Sequence, residues 1–290
     1  MARSAARTKI HDAYQAAKTA CQGNWRSPEA ANAILDLALR SMRFLANQCR
    51  RVDLISMVPG KKYMAFNYQD VVSRPANRAF FVDDSEYVRT EWQNWLAGPI
   101  EAEALARMSY TVALAPCLAM ELFDRNNKKG PATYFECLIG HIFARELRTN
   151  PRTRASLSIA GRNVRLTMDF LFEGASGVRL HLPVKMSTRE RVVQAWAHQR
   201  VLDGAYGDGA YKSIMVIFAE TKLDSRSHEV VEICVPDQWL AYQHFLAHID
   251  RIYYFDVPTR YHELANAHPD LIKIKQFGEF FREKVSVLGL

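Results

Sequence analysis

Apolar positions in the first part of the chain repeat at helical rather than strand spacing. Ala33, Leu37, Arg40, Phe44 and Leu45 fall at that spacing behind Pro28-Glu29, predicting a helix that ends near Arg50-Arg51. Pro59-Gly60, Pro75 and Asp83-Asp84 interrupt any regular pattern, so residues 59–84 read as irregular. Pro99 opens a second long helix, Ile100 to Phe123, in which Pro116 predicts a kink. The polar run Asp124-Arg125-Asn126-Asn127-Lys128-Lys129-Gly130 marks a boundary. It divides a helical N-terminal region, 1–125, suited to recognition or dimerisation, from a second part, 126–290.

The second part changes period. Gly130-Pro131 begins a helix to about Arg148, with Phe135, Leu138, Ile139 and Ile142 as its apolar stripe. Three strand-like runs follow, Ser156 to Ala160, Val164 to Phe172 and Val178 to Lys185. Gly161-Arg162-Asn163 and Gly174-Ala175-Ser176-Gly177 are the turns, and the last two runs form a hairpin. A helix from Thr188 to about Leu202 stops at Gly204 and Gly207. Ser213 to Ala219 then has the unbroken apolar pattern of a buried central strand. A strand at Val230 to Val235, a helix from Pro236 to about His248, a strand at Ile252 to Phe255 and closing helices complete the prediction. From 131 onward the order is α-β-β-β-α-β: an α/β class, with a mixed sheet and helices on both faces.

The 290 residues, 49% apolar and 24% charged, exclude wholesale disorder and low-complexity architecture. The longest apolar run, Val112 to Met120, is too short to span a bilayer and holds Pro116. The basic N-terminus has no apolar stretch behind it, so the expectation is a cytoplasmic protein without a signal peptide or membrane association. Cys21, Cys49, Cys117, Cys137 and Cys234 form no Cys-x-x-Cys pair and read as reduced, packed thiols. The net charge of +7 suits a polyanionic partner without requiring one. Its distribution is more informative. Between Arg145 and Arg165 six arginines (145, 148, 152, 154, 162, 165) stand against Glu146, a stretch that could lie along a phosphate backbone. A solvated arginine-rich loop has the same composition.

Candidate chemistry centres on the predicted hairpin. If it turns about Ser176, Asp169 lies opposite Pro183, and alternation places Lys185 on the face of Asp169. A one-residue slip would break the pairing. A carboxylate can hold a divalent cation that polarises a phosphate and activates water; a lysine can position that water and offset developing charge. A structural ion pair at a sheet rim would look the same from these two residues alone.

The segment Lys185-Met186-Ser187-Thr188-Arg189-Glu190-Arg191-Val192-Val193-Gln194 resembles Lys-Thr-Thr-x-Arg-(Asp/Glu)-Arg-x-x-Gln, found in many type II restriction endonucleases. These belong to the PD-(D/E)xK nuclease superfamily, whose core order is the α-β-β-β-α-β read above. The resemblance spans residues 131–220, about a third of the chain. It implies a restriction-endonuclease-like core with Asp169 as metal-binding aspartate, Lys185 as catalytic lysine and the Val184 carbonyl as a further Mg²⁺ ligand. The position two before the lysine, usually an acid, is Pro183, so a second carboxylate must come from elsewhere. Glu136 on the preceding helix is the first candidate, and Glu190 and Glu173 are the alternatives. Some relatives relocate the acid to the next helix, 13 residues past the lysine; here that position is His198, a poor ligand for Mg²⁺.

Arg189, Arg191, Gln194, Arg152 and Arg154 are the expected DNA contacts, though a solvated helix face would also carry the first three. His244 and His248 are four apart but have no third ligand at zinc-site spacing, and they read as structural or surface histidines. No G-x-x-x-x-G-K-[ST] loop points to a nucleotide cofactor, and no G-x-S-x-G elbow appears. The expectation is a Mg²⁺-dependent, homodimeric, site-specific double-stranded DNA endonuclease of a restriction-modification system, giving 5′-phosphate ends. The alternatives are a repair or recombination nuclease of the same superfamily and an inactive DNA-binding protein, the latter kept open by Pro183.

Overall fold

No proline interrupts the chain before Pro28, and the first residues form one continuous helix, α1 (Ala2–Gly23). The computed structural model describes the chain apart from residues 1, 175–176, 189–191, 225 and 290 and the side chains of 2–4. Ser27 ends the following turn by accepting a hydrogen bond from Ala30 N at 3.1 Å. Pro28 takes the first helical position of α2 (Pro28–Gln48), where its missing N–H costs nothing.

A small antiparallel sheet occupies the expected end of that helix and the stretch expected to be irregular. Its strands are β1 (Arg50–Asp53), β3 (Tyr63–Tyr68), β4 (Val71–Val72) and β5 (Ala76–Asn77), and β2 (Ile55–Ser56) runs separately. The strand signal was hidden because β3 reads Tyr-Met-Ala-Phe-Asn-Tyr and is buried at all but Asn67, so it shows no alternation. Next come α3 (Ser85–Ala97), capped by Asp84, and α4 (Ala102–Phe123), which is buried almost throughout. Pro116 lies inside α4 and cannot donate to Val112 O. That carbonyl instead accepts from the Tyr134 hydroxyl at 2.8 Å. Tyr134 belongs to α5 (Lys129–Glu146).

The chain then enters β6 (Arg152–Ile159), β7 (Arg162–Glu173), β8 (Arg179–Leu182) and β9 (Val184–Lys185), the last two separated only by Pro183. α6 (Val193–Tyr206) crosses to β10 (Lys212–Ile217), which is followed by β11 (Thr221–Leu223) and β12 (Glu229–Glu232). The remainder is α7 (Pro236–Phe245), β13 (Arg251–Tyr254), α8 (Thr259–Ala267), β14 (Ile274–Gln276) and α9 (Phe277–Leu288). β14 was read as helix; three residues are too few to show a period.

Two compact units result. The first comprises residues 1–141 and 221–233, the second 142–220 and 234–290, so α5 supplies residues to both. In the first unit β11, β12 and β2 form a three-stranded sheet, and Val230 joins Leu54, Val58, Tyr63 and Ala65 in a common core. Of the five thiols, Cys21, Cys117, Cys137 and Cys234 are buried.

In the second unit the strand order is β14-β13-β10-β8-β7-β6, with β9 also on β10. β14, β13, β10 and β8 are parallel; β7 and β6 are antiparallel to their neighbours. The α-β-β-β-α-β order read from residue 131 is the order found. Alternation sends Ile252, Tyr254, Met215 and Ile217 to one face, where Trp196 of α6, Trp239 of α7 and Tyr261 of α8 cover them. Tyr253 and Phe172 point the other way, toward Phe280 of α9 and Phe143 of α5.

Phe143 is fully buried and stacks on Phe280 with ring centroids 4.5 Å apart. Truncating it leaves a ring-sized cavity, so Phe143→Ala should lower stability by about 3–5 kcal/mol. Urea unfolding checks this; a loss well below that range would mean the layer can collapse around the void.

Candidate active site

The hairpin register is the expected one. Phe170 pairs with Leu182, Leu171 with His181, Phe172 with Leu180 and Glu173 with Arg179. One step further along the same ladder sets Asp169 opposite Pro183. The carboxylate reaches along the facing strand: Asp169 Oδ2 accepts from Val184 N at 2.8 Å and from Lys185 Nζ at 2.7 Å. The two side chains are 21% and 22% exposed, sheltered yet reachable from solvent.

The backbone around Pro183 sets the direction of the Val184 carbonyl. The Pro183 and Lys185 carbonyls accept from Val216 N of β10 and from Phe218 N just after it, both at 2.9 Å. Val184 between them turns its N–H and C=O to the opposite edge, the one Asp169 occupies. Among the described residues Asp169 Oδ1 has no hydrogen-bond partner. A free carboxylate oxygen beside a backbone carbonyl is a hard-oxygen donor set of the kind Mg²⁺ takes, completed by water and phosphate. No group of three or more His, Cys, Asp or Glu comes together among the described residues.

A buried polar layer from α6 lies next to the pair. His181 is fully buried, and its Nδ1 lies 3.0 Å from Gln199 Oε1 and 3.3 Å from Ser213 Oγ. Gln199 Nε2 donates to Asp203 Oδ1 and to Tyr211 O, which leaves its Oε1 to accept from Nδ1–H of a neutral imidazole. His181 Nε2 is buried and has no hydrogen-bond partner among the described residues. Burial pushes the His181 pKa down to about 4; Gln199 and Asp169 oppose that, and His198 and Lys185 add to it. His198, half-buried on α6 with its ring 6.3 Å from that of His181, is likewise pushed down by burial, and it senses both Asp169 and Lys185. The residue at the relocated-acid position therefore stands close enough to the pair to feel its charges.

Glu220 is a further residue of this region that motif reading missed. It follows β10 and is 2% exposed. It accepts from Thr188 N at 2.9 Å, Thr188 Oγ1 at 2.5 Å and the Tyr254 hydroxyl at 2.9 Å. This tethers the segment that leaves Lys185. The available signal was an acid placed directly after the buried run 213–219, a position that is costly without donors.

The other expected residues lie on several elements. Glu136 is half-buried on α5 in the first unit, where its charge reaches the Tyr14 hydroxyl. Glu173 is exposed at the hairpin end and pairs with Arg152 and with Arg179. Gln194 is exposed on α6, and Arg154 is exposed on β6. Arg189, Glu190 and Arg191 lie outside the described residues. No described helix is long and apolar enough to cross a membrane.

Comparison with known proteins fits this architecture to one fold. No protein-family model matches the chain, and no curated protein sequence matches it. Among solved structures, the crystal structure of the type IIP restriction endonuclease Kpn2I superimposes with a TM-score of 0.82 at 21% identity, over 97% of this chain and 97% of that one. The chain thus has the fold of that restriction endonuclease along nearly its whole length. A complex of the restriction endonuclease PspGI with substrate DNA reaches a TM-score of 0.45 at 12% identity, over 70% of this chain and 92% of that chain, too distant a likeness to carry an argument.

His181 couples this region to pH. Its folded pKa near 4 lies below the ordinary 6.5, so below about pH 6.5 the unfolded chain takes up a proton that the folded chain refuses. Stability from this group is complete at neutral pH and declines as pH falls toward 4. Between neutrality and about pH 5 the decline should be about 2 kcal/mol. Urea unfolding of wild type and His181→Gln at both pH values isolates it; an equal pH dependence in the two proteins would refute the assignment.

Proposed function

We propose that the protein is a Mg²⁺-dependent, site-specific double-stranded DNA endonuclease that works as a homodimer in the cytoplasm as part of a restriction-modification system. The observation that carries this is Asp169 Oδ2, shared by Val184 N and Lys185 Nζ at one strand end of a restriction-endonuclease fold. Kpn2I is itself a type IIP restriction endonuclease, which supports the reading.

The reaction consumes one water per strand, breaking the P–O3′ bond to leave a 5′-phosphate and a 3′-hydroxyl. Asp169, through its unengaged Oδ1, and the Val184 carbonyl would hold the metal, with Glu136 as the proposed second carboxylate. Bound Mg²⁺ would supply Lewis-acid polarisation of the phosphate and a more acidic water. Lys185 Nζ spends one N–H on Asp169 and keeps two to direct at a phosphoryl oxygen or at the attacking water. Its fixed charge opposes the negative charge that builds on the phosphoryl group. Asp169 holds that ammonium in place. Arg152, Arg154, Arg189, Arg191 and Gln194 are proposed to grip the duplex. One such site per chain cuts one strand, so a two-fold dimer on a palindromic target would cut both.

A second reading, a DNA-binding protein without catalysis, draws on one observation: Pro183 occupies the usual acid position.

Asp169→Ala and Lys185→Ala should each abolish plasmid cutting while duplex binding persists, and Ca²⁺ in place of Mg²⁺ should do the same. Discrete fragments from wild type with Mg²⁺ support the endonuclease. Binding without nicking would favour the second reading, and undiminished cutting by either variant would eliminate the site. Glu136→Gln should reduce the cutting rate strongly; an unchanged rate would shift the second carboxylate to Glu190 or Glu173.

A further inference from the structure

β6 and β7 continue past the sheet as a two-stranded ribbon. Between the pairs Arg152↔Leu171 and Arg154↔Thr167 the register shifts, with three residues of β7 set against Thr153 alone. Beyond that bulge the ladder runs regularly from Arg154↔Thr167 to Ile159↔Arg162. Ala160 and Gly161, both with positive φ, close it in a two-residue turn. Six residues per strand make a ribbon about 20 Å long. β6 ends the strand order, so one edge of the ribbon is unpaired among the described residues.

The two faces differ. One carries Ala155 and Leu157, buried with Leu202 of α6 and with Tyr211, while the Tyr206 hydroxyl bonds Ser156 O at 2.6 Å. That side braces the ribbon. The other carries Arg154, Ser156, Ser158, Asn163, Arg165 and Thr167, all exposed. The side chains of Arg154, Arg162 and Arg165 make no ion pair or hydrogen bond among the described residues, and residues 152–167 hold no acid. A ribbon serving stability alone would set carboxylates across from these cations, since unlike pairs across strands stabilise and like ones do not. A braced strand pair with a bare, cationic, short-side-chain face has the width and charge for one kind of surface: B-form DNA, whose major groove admits a two-stranded ribbon.

We propose that the β6–β7 ribbon enters the major groove of duplex DNA, Arg154 meeting a phosphate and Asn163 and Arg165 reading base edges. This rests on the endonuclease reading and adds its recognition element. Asn pairs bidentately with adenine and Arg with guanine, and the serines let the backbone come close. Bracing on α6 removes the ordering cost a loose hairpin would carry.

The test uses the full chain in Ca²⁺, with a duplex containing a mapped wild-type cut site and one lacking it. Arg154→Ala should reduce the slope of log affinity against log salt by about 0.9, on both duplexes alike. Asn163→Ala and Arg165→Ala should weaken site binding by about 5–150-fold and, with Mg²⁺, broaden the set of cut sites. Arg165→Lys should lose the same discrimination while keeping the wild-type salt slope, because its charge remains without the planar fork. These side chains are exposed, so thermal unfolding should match wild type. Wild-type slope, affinity and cut sites in all the variants would overturn the ribbon and leave the endonuclease standing. So would equal competition by double-stranded RNA, whose major groove admits no ribbon. Wild-type cutting by Asp169→Ala would remove the endonuclease instead, while the salt slopes still report on the ribbon.

Discussion

One oxygen atom, Asp169 Oδ2, is held by two donors from the facing strand, and the local structure is organised so that it can be. Val184 is central to this. The carbonyls on either side of it face β10, so its own N–H is turned toward β7, where the Asp169 carboxylate takes it. The break that splits the third strand into β8 and β9 leaves Lys185 on the face it needs, beside Ile217 and one strand from Asp169. A carboxylate bonded to an ammonium and an amide on one oxygen keeps its second oxygen for other work. In the proposed reaction that second oxygen would hold the metal.

The neighbouring polar groups fix the two chain segments that bear the pair. His181, Gln199 and Ser213 tie β8, α6 and β10 through contacts at Nδ1 of the imidazole. Burial keeps it neutral at physiological pH. Glu220 holds Thr188, and with it the chain that departs from Lys185 toward α6. A buried carboxylate facing amide and hydroxyl donors is costly to disturb, and that rigidity preserves the geometry three residues upstream. In the proposed reaction these groups position the lysine without touching the phosphate.

The helical unit shows the same economy of donors and acceptors. Pro116 within α4 strands the Val112 carbonyl, and Tyr134 from the next helix satisfies it. The expected kink carried the right physics, a lost backbone bond, but the remedy came from a residue 18 positions after the proline.

The amino-acid sequence alone determined the element order from residue 131 through β10, the Asp169–Lys185 pairing and the fold class. Each depends on local period or on a short turn: a four-residue hairpin loop leaves few registers, and alternation then assigns faces. What lay beyond it was set by contacts distant in the chain. β3 is buried on both sides and shows no period; Glu220 meets Thr188 across 32 residues; β12 joins β2 across more than 170. The polar and apolar faces of the ribbon were equally hidden, because the bulge that separates them from the phase of Asp169 is a property of paired strands. Local spacing is written in one dimension. Which buried donor meets which acceptor is settled only when the sheet closes and every polar group inside it must find a partner.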